Sequence, residues 1–182
     1  MLLYSEDLMV VLNSIHIPLK DAILTLKESN LLETVEITHH WYVKNFSKKP
    51  QIILAGLNPH AGENGILGNE EIEILKPVVL KAIKREIKIS GPFPADTVFF
   101  KNKNNKSIGP DKIIVALYHD QGLIPFKLNG LETGINTTIG LPFLRTSVDH
   151  GTAFDIAGKN LASLNPMLVA LSMTRELLSS RR

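Results

Sequence analysis

The chain has 182 residues, a formal net charge of +2, 44% hydrophobic residues and no cysteine. That length supports one domain, or one and a fragment, with a sizeable buried core. The missing cysteines exclude a disulfide framework and thiolate chemistry, the weak dispersed charge argues against nucleic acid as a partner, and no apolar run is long enough to cross a bilayer.

The first residues carry Glu6 and Asp7 and lack the basic start and cleavage site of a secretion signal, so a cytoplasmic location is the expectation. Residues 8–12 form an apolar, β-prone run leading to His16. Pro18 suits the first turn of a helix over 19–27, and a second helical pattern spans 31–46. His39 and His40 fall inside that pattern, where both cannot face one point, and read as structural or surface residues. Residues 51–57 read as a buried strand ending near His60, followed by a long loop over 58–69 that holds Gly62, Gly65 and Gly68. Its backbone amides could approach an anion closely, and a plain surface turn is the alternative.

Asn69 is expected to cap the next helix, with Glu70, Glu71 and Glu73 in its first turn and Ile72, Leu75, Val78, Val79 and Ala82 on its apolar face, ending near Lys88. The Lys- and Asn-rich stretch 101–106 reads as a solvated loop. Residues 113–118 give a strand leading to His119, 135–141 another, and 166–178 a final amphipathic helix after a cap at Asn165. No internal repeat is visible. Strands alternating with helices indicate an α/β fold with a partly parallel sheet, although the strands counted this way are few for a doubly wound domain.

Three apolar runs therefore each lead into a histidine. In an open α/β sheet ligands gather beyond the carboxyl ends of the strands, so His16, His60 and His119 could converge despite their separation in sequence. Three neutral imidazoles on one divalent ion leave open positions for water or substrate. Histidines at strand ends also simply bond the backbone, and both readings stand. Asp120 suits either the orientation of a histidine or the capping of a turn. Lys127, Asn136 and Arg145 offer donors to a phosphorylated, carboxylate-bearing small molecule, or else form solvated surface. Around Asp149, His150, Gly151, Thr152, Ala153 and Asp155 the small residues suit a nucleotide-contacting loop, with a helix-initiating turn as the alternative; no G-x-G-x-x-G is present.

Taken together, Gly56-Leu57-Asn58-Pro59-His60-Ala61-Gly62-Glu63, Tyr118-His119-Asp120-Gln121-Gly122 and Arg145-Thr146-Ser147-Val148-Asp149-His150-Gly151-Thr152-Ala153 strongly resemble the PdxA family, the 4-hydroxythreonine-4-phosphate dehydrogenases of vitamin B6 biosynthesis. The resemblance runs from about Leu3 to the C-terminus and includes Ile15-His16-Ile17-Pro18-Leu19 and Pro94-Ala95-Asp96-Thr97. It implies an isopropylmalate-dehydrogenase-like α/β/α sandwich working as a homodimer, with the active site in an interdomain cleft near the partner subunit. It also implies that His16, His60 and His119 are ligands of a divalent metal (zinc, magnesium or cobalt), the first two from one subunit and His119 from the other, with Asp120 in support. Lys127, Asn136 and Arg145 match the family's substrate contacts. His150, Gly151, Thr152, Ala153 and Asp155 resemble the adenosine-binding segment of the wider superfamily, for NAD or NADP.

The implied reaction is oxidation of the secondary alcohol of 4-phosphooxy-L-threonine, followed by loss of carbon dioxide to give 3-amino-2-oxopropyl phosphate. Related dehydrogenases act on threonate or erythronate phosphates. Family members carry an N-terminal segment holding most of a first domain that has no counterpart here. The expectation is therefore a C-terminal half in which residues 1–144 form the second, dimer-forming domain and 145–182 return to the incomplete nucleotide-binding domain. Three functions remain open: the dehydrogenase, a metal-dependent hydrolase, for which no obvious general base stands beside the histidines, and a dimerising metal- or phosphate-binding module without catalysis.

Overall fold

The computed structural model describes residues 1–5, 8–104, 111–130, 134–148, 151 and 153–179. Seven strands form one sheet in the order β4-β3-β5-β2-β1-β6-β7. They are β1 (Leu2–Tyr4), β2 (Met9–Leu12), β3 (Gln51–Ala55), β4 (Ile89–Phe93), β5 (Lys112–Ala116), β6 (Ile135–Thr138) and β7 (Arg145–Val148). Strands β2, β5, β3 and β4 run parallel, while β1, β6 and β7 extend the sheet by antiparallel pairing.

Helices cover both faces, giving an α/β/α sandwich. On one face lie α2 (Glu28–Phe46), α3 (Lys76–Lys84) and α6 (Asn165–Ser179). Their Leu31, Val35, Tyr42, Val78, Ala82, Met173 and Leu177 share a core with Leu2, Met9, Val11, Ile52, Ile113 and Val115 from the strands. On the other face α4 (Ala95–Asn104) and α5 (His119–Gly130) bring Val98, Leu123 and Phe126 against Leu3, Val10, Leu12, Ile114 and Ala116. Each strand thus buries alternate residues on opposite faces. The short α1 (Leu19–Leu24) follows Pro18.

Several expectations change. The sheet has three more strands than the apolar runs suggested, because β1 is only three residues long, β4 (ISGPF) contains glycine and proline, and β7 (RTSV) has no apolar run. The helix after 69 opens with a π turn over Glu71–Leu75, carries no side-chain cap and stops at Lys84 instead of Lys88. Residues 101–104 belong to α4 and not to a loop; 105–110 lie outside the described residues. Arg145–Val148 pairs with β6 as β7, and α6 packs into the first core through Ala170, Met173 and Leu177. The strand pairing outweighs the weak local pattern.

One histidine on α2 gives this fold a pH dependence. His39 Nδ1 is buried without a partner among the described residues. Burial pushes its pKa below the ordinary 6.5, with repulsion from His40 and Lys49 adding to the shift. The unfolded chain then takes up a proton at higher pH than the folded one, so stability is complete above pH 6.5 and falls as the pH drops below it. Urea midpoints measured on either side of that value should show the decline, and His39→Gln should flatten it. An unchanged slope in the variant would assign the effect to other groups.

Candidate metal and substrate site

Parallel pairing places the carboxyl ends of β2, β5 and β3 on one sheet edge, and each end leads to one of the three candidate histidines. The β2 and β5 chains stay bonded past the sheet. Asn13 N–H donates to Ala116 O at 2.8 Å, and Ser14 donates to Leu117 O through its N–H at 3.2 Å and its Oγ at 2.9 Å. That extension delivers His16 beside His119, whose ring centroids lie 5.5 Å apart with planes tilted by 46°. The two line a cleft of ≈ 320 Å³ with Ile15, Ile17, Pro18, Leu19 and Tyr118. His16 is exposed and the His119 side chain about one-third so.

His119 is held from behind. Its Nδ1 lies 2.7 Å from Asp120 Oδ1, so the ring nitrogen left for a ligand is Nε2. A carboxylate on one ring nitrogen fixes the tautomer and raises the basicity of the other. Two imidazoles bound to one zinc at about 2.1 Å and a tetrahedral angle would have centroids roughly 5 Å apart. The observed pair matches that separation, so the donor chemistry and the spacing fit a divalent ion.

His60 does not join the pair within one chain. It lies exposed on a turn over Pro59–Gly65, and among the described residues no group of three His, Asp or Glu side chains is disposed to hold a metal. The family resemblance grouped His16 with His60; the pair that meets in the folded chain is His16 with His119.

The three proposed substrate contacts separate by position. Register carries the same sheet edge across the antiparallel half, through Leu2 opposite Val11, Leu2 opposite Thr137, and Thr138 opposite Arg145. Arg145, exposed, donates from Nη1 to Thr138 Oγ1 at 3.0 Å. Asn136 faces the α5 side, paired with Leu3 of that core, and its Oδ1 is buried without a partner among the described residues. Lys127, exposed, sits about two turns along α5 from His119. Of the nucleotide-segment candidates, Gly151, Ala153 and Asp155 are exposed around the turn Phe154–Ile156, while His150 and Thr152 lie outside the described residues.

Two residues that the sequence reading gave no role bind the strand ends together. Buried Gln121 accepts Leu117 N–H on Oε1 and donates from Nε2 to Gly56 O, both at 2.7 Å, so one side chain joins the ends of β5 and β3. Buried Glu71 accepts hydrogen bonds from the segment just before His60. A signal for Glu71 was present: it continues the helical spacing of Leu75, Val78 and Ala82, which places a carboxylate on the core-facing stripe. The first turn of α5 also packs closely on the sheet. A Cβ at Gly122 would lie 2.4 Å from Leu12 Cδ2 and 2.9 Å from Val10 Cγ1, so a larger residue would have to push these buried side chains aside where α5 starts.

The model of the pyridoxal phosphate biosynthetic protein PdxA family matches residues 1–174. A 4-hydroxythreonine-4-phosphate dehydrogenase of Desulforapulum autotrophicum is 45% identical, over 95% of this chain and 50% of the relative. A relative from Oceanobacillus iheyensis, named provisionally as a D-threonate 4-phosphate dehydrogenase, is 46% identical over 97% of this chain and 52% of its own. Among solved structures, 4-hydroxythreonine-4-phosphate dehydrogenase from Klebsiella pneumoniae superimposes with a TM-score of 0.82 at 37% identity, over 100% of this chain and 53% of that one. The chain thus spans about half the length of the relatives it matches.

Proposed function

This chain belongs to the PdxA family, and from that premise we propose that it provides the metal- and substrate-binding half of a dehydrogenase that oxidises and decarboxylates 4-phosphooxy-L-threonine in pyridoxal phosphate biosynthesis. The observation that carries the reading is the His16–His119 pair, 5.5 Å apart on the sheet edge that also holds Arg145.

In this reading His16 and His119 hold a divalent cation, zinc, cobalt or magnesium, and His60 of a second copy completes the set. When bound, such an ion stabilises negative charge on a substrate oxygen during hydride loss and decarboxylation. The chain's own residues do the rest. Asp120 keeps the proton on His119 Nδ1, so that Nε2 stays a donor of electrons. Arg145 and Lys127 bind anionic oxygens of phosphate and carboxylate, Arg145 through its fork of N–H groups and Lys127 as a point charge. Asn136 Oδ1 offers an acceptor for a hydroxyl or ammonium hydrogen. Ile15, Ile17 and Leu19 border the cleft with apolar surface. The segment 150–158 contributes to NAD or NADP binding together with residues such as those in the remaining half of the relatives. The assembly is a cytoplasmic homodimer that needs neither nucleic acid nor membrane; among the described residues no helix is long and apolar enough to span a bilayer.

Calorimetric titration of 4-phosphooxy-L-threonine into the zinc-loaded chain, with NADH absorbance followed in parallel, tests the proposal. Binding that requires the metal is expected, with D-threonate 4-phosphate as the competing substrate arm. Absence of metal-dependent binding would overturn it. Binding without NADH formation selects the second reading, a dimerising metal- and phosphate-binding module.

A further inference from the structure

Glu71 is 1% exposed, and among the described residues no cation pairs with it. A buried carboxylate in that state is costly unless hydrogen bonds surround it. Its Oε1 accepts the backbone N–H groups of Leu57 and Asn58, both at 2.8 Å, and its Oε2 accepts Asn58 Nδ2 at 2.9 Å. The same Oε2 lies against the far side of the turn, where a Cβ on Gly62 would be 2.6 Å away. The carboxylate therefore touches the chain both before and after His60.

The turn it supports is strained. His60, Ala61, Glu63 and Asn64 all have φ between 44° and 57°, a left-handed run made mostly of residues with side chains. Each such residue costs roughly 1–2 kcal/mol relative to right-handed backbone, and single residues, not runs, are the rule. At the ends of the turn Ala61 N–H donates to Asn58 O at 3.1 Å, and Leu67 N–H donates to Gly62 O at 3.1 Å. The π turn and α3, anchored by Leu75 and Val78, fix Glu71 in place beneath it.

We infer that Glu71 is a positioning residue for His60, holding the left-handed turn so that the imidazole projects outward from the sheet edge toward a cation shared with a second copy of the chain. The inference rests on the metal reading proposed above. A glutamine at this position keeps the size but turns one acceptor into an N–H₂ group facing donors, so the turn relaxes and His60 moves.

The test measures zinc affinity of the whole chain by competition with a chromophoric chelator, and the visible spectrum of the cobalt(II)-loaded chain, for Glu71→Gln, His60→Ala and the double variant. Glu71→Gln is expected to weaken zinc about 10–100-fold, the usual effect of losing an outer partner of a ligand, and to change the cobalt spectrum. In the His60→Ala background it should produce no further loss, because it acts through that side chain. Wild-type affinity and spectrum in Glu71→Gln, or full additivity in the double variant, overturns the inference and leaves the metal reading intact. A wild-type chain that takes up no zinc, or a His60→Ala chain that binds it normally, overturns the metal reading and this inference with it. Should Glu71→Gln fail to fold, Gly62→Ala presses on the same oxygen from the loop side; the same loss of zinc affinity is expected, and unchanged affinity overturns the inference.

Discussion

Replacing His16 or His119 with alanine is expected to weaken zinc binding by more than 100-fold, beyond the ~10–100-fold typical of losing a carboxylate behind a ligand. Each variant removes one of two imidazoles that already face each other, leaving a single ring that binds a divalent ion poorly. Asp120→Asn should fall in the smaller range, because His119 keeps Nε2 but loses the charged partner that orients its ring. A complementation experiment adds a stricter requirement. Chains carrying His60→Ala, co-expressed with chains carrying His119→Ala, should recover up to half the zinc sites per mixed dimer, since one site then gathers His16 and His119 from one chain and His60 from the other. Equilibrium dialysis of the purified mixed dimer reads this directly. Recovery of no sites would mean that the ligands are not divided in this way.

The largest loss of stability is expected for Phe126→Ala, at about 3–5 kcal/mol. Phe126 is fully buried and, with Leu123, forms most of the apolar contact that seats α5 on the sheet. A domain of ordinary stability has only ~5–15 kcal/mol in total, so the variant would sit near its unfolding midpoint under mild denaturant. The same helix begins at His119, so loosening it also loosens the cleft. Urea titrations should show a lower midpoint with little change in slope. Leu128→Ala on the same helix, 83% exposed, should change stability by less than about 0.5 kcal/mol. Equal effects from the two substitutions would contradict the packing described for α5.

Much of the fold was legible in the residues. The runs at 8–12, 51–57 and 113–118 are apolar and β-prone, and they supplied β2, β3 and β5 of the parallel part of the sheet. Helices α2 and α6 followed their apolar spacing to within a few residues. The short outer strands were hidden because β7 is polar and β4 contains glycine and proline, so neither shows the pattern of a strand taken alone. Asn136, Arg145 and the histidines could be named from motif and residue type, but Glu71 looked like an ordinary first-turn carboxylate until its depth was known.

By itself, then, the sequence determined the fold class, the strands that end in histidines and the family the chain resembles, because those depend on local periodicity and on short motifs. Only the tertiary structure decided which histidines meet. Strand order places β5 between β3 and β2, an arrangement set by the crossover connections and not by order in the chain. Hydrogen bonds past the ends of β2 and β5 then bring His16 to His119, while a left-handed turn braced by a buried carboxylate carries His60 elsewhere on the same edge.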